Sequence, residues 1–233
     1  MAVMAAMATT VQNNNGYNIQ ATGLKPAYPS DYACSPLTSL YASWIDVDGG
    51  RRRYPHSGVD GGRLGEAVLS PAPGKVRAAW RSNWGWGWEG SILIEHTREN
   101  IGFKRGAPFY YSVFVHLDYE DIKNLKVGQQ LKRGQPLGRV SRPGGNPDYL
   151  PEVHWEIWEA DASRLGWWIN EHGGRAWYNY TARLVDPMAM LQTASGKPLS
   201  STKVPIVPHE ACRARGNCRG FTYFLPCLPK TRN

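Results

Sequence analysis

The 233-residue chain reads as a mainly β protein built on antiparallel strands, and three observations carry that reading. Composition is the first: ten Trp and twelve Tyr favour strands, while 25 Gly and 17 Pro punctuate the chain too often for a helical bundle. The second is a succession of short β-like segments separated by Gly and Pro turns. Ala67–Leu69 and Lys75–Arg77 flank Pro73-Gly74 as a hairpin-like unit, and Ser91–Glu95 and Tyr110–Leu117 follow as strands. Val127–Gly138 carries short extended pieces between glycine turns, and Glu152–Trp158 is the last clear strand. The third is how little helix periodicity there is. Only Asp121–Leu125 and Pro187–Leu191 suggest short helical turns.

This length supports one good core with extensions rather than two full domains. Residues 1–43 form an irregular N-terminal lead-in, 44–191 carry the patterned core, and 192–233 form a basic, Cys-containing C-terminal tail behind a Ser/Pro/Lys-rich linker. The formal charge is +8, and the tail holds seven Lys/Arg against one acidic residue. Such a balance suits polyanionic surroundings such as nucleic acid, anionic lipid or a bacterial cell wall. No nucleic-acid motif accompanies the charge. A solvated tail and an anchor are both open readings of the basic segment. No run approaches the roughly 18 apolar residues of a membrane-spanning helix. Met1–Ala8 has the apolar run and Ala-Met-Ala ending of a secretory signal, without its positive start, and also reads as a plain irregular terminus. Cys34, Cys212, Cys218 and Cys227 make an even count, consistent with disulfides in an exported protein. Cys212–Cys218 is the most local bridge; spacing leaves the full connectivity open.

Candidate chemistry sits in three places. His56-Ser57-Gly58-Val59-Asp60 is an H-x-x-x-D pair in a Gly-rich stretch, His116 ends an apolar strand, and Glu152-Val153-His154 begins another. Strand alternation places Glu152, His154 and Glu156 on one face, with Val153, Trp155 and Ile157 packing behind. The same rule groups His116 with Ser112 and Phe114, away from Val113, Val115 and Leu117. Two His and one Asp suit a catalytic zinc, which takes three protein ligands and leaves a position open for water. Taken singly, each element also has a bland reading as a packed or surface residue.

The order of these elements resembles the lysostaphin/LytM-type zinc metallopeptidases. The family runs H-x-x-x-D, a Gly-rich strand region, a strand ending in H-L, V-x-x-G-x-x-V-x-x-G-Q-x-I-G, and H-x-H-F-E. Here these are His56 to Asp60, Ala72 to Val76, Ile92 to His96, Tyr111 to Leu117, Val127 to Gly138, and His154-Trp155-Glu156-Ile157. The resemblance spans about residues 53–160. It implies an antiparallel β-sheet groove of the duplicated hybrid type, with irregular extensions at both ends. It implies His56, Asp60 and His154 as ligands of Zn2+, and His116 as a catalytic histidine. It further implies a zinc endopeptidase acting on peptidoglycan stems or cross-links, in the periplasm or secreted.

One departure stands out. The family's first His of H-x-H is Glu152 here. A carboxylate can serve as general base on zinc-activated water, as in H-E-x-x-H enzymes, and related carboxypeptidases look to use a Glu at this place. Glu152 is therefore read as the base. A zinc carboxypeptidase on stem peptides, or a catalytically silent module that binds or activates a cell-wall hydrolase, are the alternatives. His96 reads as structural. Trp84 to Trp88 and the aromatic stretch Trp167–Tyr180 read either as groove walls or as caps on the sheet, and Arg51-Arg52-Arg53 as a solvated turn or an attractor for stem carboxylates.

Overall fold

The computed structural model describes residues 10–12, 18–196, 198, 200–216 and 218–231, so the leader-like stretch at residues 1–8 lies outside the described part. The main sheet has eight strands: β1 (Leu37–Ser39), β2 (Val59–Gly61), β3 (Gly74–Asn83), β4 (Trp88–Thr97), β5 (Phe109–Leu117), β6 (Gln130–Leu131), β7 (Val153–Ala160) and β8 (Arg183–Val185). Their order is β6-β3-β4-β5-β7-β2-β1, with β8 also on β7, and every pairing is antiparallel. The fold is thus mainly β and antiparallel, as the sequence predicts. The hairpin expected around Pro73-Gly74 does not form. Ala67–Leu69 pairs with Pro136–Arg139, and Gly74 opens the ten-residue β3, which pairs with β4 instead.

The central strands are buried on both faces. Ile92, Ile94, Phe114, Trp155 and Ile157 pack into the larger core, while Leu93, Tyr111, Val113 and Trp158 pack on the opposite face. On β7 the alternation holds: Val153, Trp155 and Ile157 are fully buried. Glu152, His154 and Glu156 line the groove.

The two ends of the chain close the larger core. Lys25–Ala27 pairs in parallel with Lys203–Pro205, and Tyr32–Cys34 pairs antiparallel with Cys227–Pro229. Phe221, Tyr223, Phe224 and Leu225 are buried there, with the Phe224 ring 4.6 Å from Trp155 and 6.0 Å from Phe114. Burying a Phe or Leu side chain contributes about 1.5–3 kcal/mol, so this segment is a structural part of the core. Disulfides Cys34–Cys227 and Cys212–Cys218 use all four cysteines. The helix Pro187–Gln192 starts where expected, with Asp186 capping the Met188 amide and Pro187 at its first position.

Candidate functional site

His56, Asp60, His116, Glu152 and His154 all line one groove of about 650 Å³. Asp60 is the middle residue of β2 and pairs directly with His154 on β7. His56 enters on the preceding loop, its backbone exchanging hydrogen bonds with Ala42 and Ser43. Gly58 lets that loop cross β7: a Cβ there would lie 2.4 Å from the Trp155 carbonyl and 2.9 Å from the His154 ring. Glycine between His56 and Asp60 is therefore a steric requirement.

Three donor atoms converge. Asp60 Oδ1 lies 3.0 Å from His56 Nε2 and 2.8 Å from His154 Nδ1, and the two nitrogens are 2.9 Å apart. Each of the three side chains is also held from behind by its far atom. His56 Nδ1–H donates to the Leu40 carbonyl at 3.0 Å, and His154 Nε2–H donates to Glu156 at 3.2 Å. Arg52 Nη2 donates to Asp60 Oδ2 at 2.7 Å and also binds Asp46 at 2.7 Å. In the neutral imidazoles these outer bonds set the tautomers so that a lone pair would point inward, the usual arrangement around metal-binding histidines. A tetrahedral zinc with bonds of about 2.0–2.1 Å spaces its donors about 3.3 Å apart. The three atoms meet that with a small outward shift.

Electrostatics agree with a shared cationic position. Burial raises the Asp60 carboxyl, but the His56 charge and hydrogen bonds from both imidazoles hold it well below the ordinary carboxylate range. Burial lowers His56, and Asp60 offsets only part of that. His154 feels the same burial, yet its hydrogen bonds to Asp60 and Glu156 lift it to about 10. A proton and a metal ion compete for this imidazole.

His116 reaches the groove by a route that strand alternation does not predict. The register of β5 against β4 shifts between Phe114 and Leu117, and His116 sits at φ 62°. Phe114 and Leu117 face the larger core, while His116 lines the groove beside Val113 and Val115. The β-bulge turns the side chain to the opposite face from the one expected. His116 Nδ1–H donates to Glu89 at 2.8 Å, and the same Glu89 oxygen accepts the Gly144 amide at 2.8 Å. Burial lowers His116, but the adjacent Glu89 charge and hydrogen bond outweigh it and raise the group. Its Nε2 lies 3.9 Å from Glu152. Burial and the Asp60 charge push Glu152 up to about 7, and its Oε2 is buried without a hydrogen-bond partner among the described residues.

With this geometry in place the family comparison falls on the same stretch, matching residues 54–165 to peptidase family M23. Over that segment the chain is similar to peptidase family M23. Solved structures similar to the chain include LytU, at 19% identity over 72% of this chain and 92% of that chain, with a TM-score of 0.42. The catalytic domain of the antimicrobial peptidase lysostaphin from Staphylococcus simulans is 24% identical over 68% of this chain and 90% of its own, TM-score 0.38. The catalytic domain of the prophage-encoded M23 protein EnpA from Enterococcus faecalis is 22% identical over 58% and 87%, TM-score 0.37. A comparison with curated proteins returned no match.

Within the M23 segment, His96 is fully buried away from the groove. Its Nδ1–H donates to the Pro73 carbonyl at 2.8 Å and its Nε2 accepts from Ser112 at 3.0 Å, so it is structural. Arg52, just before that segment, is neither a free basic turn nor exposed; it is tied to Asp60. Glu89 and the link between Arg52 and Asp46 are features the sequence reading missed. The available signal for Glu89 was a lone carboxylate heading the apolar run of β4.

Proposed function

We propose that the chain is a zinc-dependent peptidase that hydrolyses peptide bonds in bacterial peptidoglycan, with His56, Asp60 and His154 as the metal ligands. The convergence of those three donor atoms, each braced from behind, carries the reading. Zinc at this position supplies Lewis acidity, lowering the pKa of a water and polarising the scissile carbonyl.

The protein's own groups do the rest. Glu152, with one oxygen unpartnered in the groove, takes the proton from the attacking water. His116, held on Glu89 through Nδ1, keeps Nε2–H toward the groove and donates to the developing oxyanion. An ionised carboxylate cannot donate, so Glu152 and His116 divide the two tasks that the lysostaphin/LytM pattern gives to two histidines. Two disulfides and a basic surface are consistent with a periplasmic or secreted enzyme working on an anionic wall.

The test is digestion of purified peptidoglycan by the zinc-loaded protein and by a chelated sample, with products identified by mass spectrometry. The expected result is zinc-dependent release of peptides with new amino termini from internal bonds. Release of single terminal residues would convert the reading to a carboxypeptidase. A protein that binds zinc and cuts no wall preparation would be a silent binding module.

A further inference from the structure

Five of the ten tryptophans line the groove. Trp158 and Trp177 are buried in the smaller core, their rings 5.6 Å apart and edge to face. Trp86 and Trp168 are different: they are 43% and 45% exposed. Large exposed aromatics bordering a cavity mark a binding surface when the backbone that carries them is fixed.

Here both carriers are fixed. Trp86 stands on the turn between β3 and β4, and its ring meets His116 edge-on with centroids 5.4 Å apart. Gly144 passes so close under that turn that a Cβ on it would lie 1.9 Å from the Trp86 carbonyl oxygen. Trp168 stands on the hairpin Gly166–Ile169/Arg175–Tyr178. The turn of that hairpin is stitched to the end of β3: Asn170 donates to the Asn83 carbonyl at 2.8 Å, and Asn83 donates to the His172 carbonyl at 3.1 Å. A Cβ on Gly174 would lie 2.3 Å from the same Asn83 oxygen. The two indoles are thus presented on a joined, preformed frame next to the candidate catalytic groups.

We propose that Trp86 and Trp168 form a glycan subsite, which binds the N-acetylated sugar strand adjoining the scissile peptide. This rests on the peptidoglycan reading above and deepens it. Stem peptides carry no aromatic or large branched apolar side chain for an indole to cover. Asp48, Asp148 and Glu171 share the groove lining with Arg52 and Arg53, so the groove offers carboxylates as hydrogen-bond acceptors. A pyranose ring offers an apolar C–H face for the indole and hydroxyls that donate to carboxylates. The enzyme thereby cuts glycan-linked stems in preference to peptides freed from sugar.

The decisive experiment is calorimetric titration of the chelated full chain, which cannot hydrolyse, with N-acetylglucosamine tetramer. Saturable binding is expected, weakened about fivefold in Trp168→Ala and Trp86→Ala, the order of magnitude of one aromatic contact. Trp88→Ala is the control. Its indole is 48% exposed but stacks on Arg81 outside the groove, and its binding should match wild type. Thermal midpoints confirm that each variant is folded. In parallel, the zinc-loaded enzyme should show a higher kcat/KM on glycan-linked stems than on amidase-released ones, a difference lost in Trp168→Ala. Absence of tetramer binding, or equal binding by folded Trp168→Ala, overturns the subsite. Tetramer binding of the expected pattern in a protein that never cuts peptidoglycan sustains the subsite and overturns the peptidase reading instead.

Discussion

Removing the Cys34–Cys227 bridge should destabilise the protein far more than removing Cys212–Cys218, although both are single covalent links. The perturbation is a pair of double substitutions, Cys34→Ser with Cys227→Ser, and Cys212→Ser with Cys218→Ser. The bridges close loops with sequence separations of 193 and 6 residues. In the chain-entropy treatment, the long bridge stabilises by about 5 kcal/mol and the short one by about 2 kcal/mol at 25 °C. The difference of about 3 kcal/mol corresponds to a gap in guanidinium midpoints of about 0.6 M, for a slope of about 5 kcal/mol per molar. Equilibrium unfolding of chelated samples followed by tryptophan fluorescence measures it. Equal midpoints for the two variants would refute the reasoning, because they would mean that the chain ends are held by their strands and buried Phe221–Leu225 alone.

Three further outcomes follow from the site and the core. Glu152→Gln keeps the shape of the side chain but removes the proposed base; cleavage should fall about 10²- to 10⁴-fold while zinc content by mass spectrometry stays at wild-type level. Arg52→Gln frees the second oxygen of Asp60, and zinc affinity measured by chelator competition should weaken about 10- to 100-fold; unchanged affinity would remove Arg52 from the site. His96 is held neutral by burial, its pKa lowered to about 4 from 6.5. Because the folded value is depressed, its contribution is full above pH 6.5 and is lost as pH falls toward 4, by about 3 kcal/mol in all. Urea titrations of chelated wild type and His96→Gln at pH 7 and pH 4 should show that difference, since glutamine does not titrate; parallel loss in both proteins would sink the assignment.

Much of the site was legible because β7 is a regular strand. A period of two was enough to put Glu152, His154 and Glu156 on one face and Trp155 behind them, and the structure keeps that arrangement. The same rule failed on β5, where one irregularity between Phe114 and Leu117 reverses the face of His116. Periodicity carries no information about where a bulge falls. Glu89 was invisible for a related reason: its importance comes from two partners, His116 and Gly144, on other elements 27 and 55 residues away. At the C-terminus, the Pro- and Ser-rich stretch suggested a linker to a tail, and outweighed the apolar run Phe221–Leu225 that in fact seals the core. A local composition signal describes the connection, not where the chain returns to after it.

The Arg52 guanidinium has a consequence for stoichiometry. Asp46, Asp60 and Glu152 bring carboxylate oxygens within 4.8 Å of one another, and converging carboxylates are the donors from which two-ion centres are built. In this protein the counter-charge between Asp46 and Asp60 is a side chain, tethered by its own backbone and unable to dissociate. On the reading proposed above, only the position between His56, Asp60 and His154 is then left to an exchangeable ion. One positive charge of the cluster is supplied by translation, so dialysis or chelation would empty the metal position while the guanidinium stays in place.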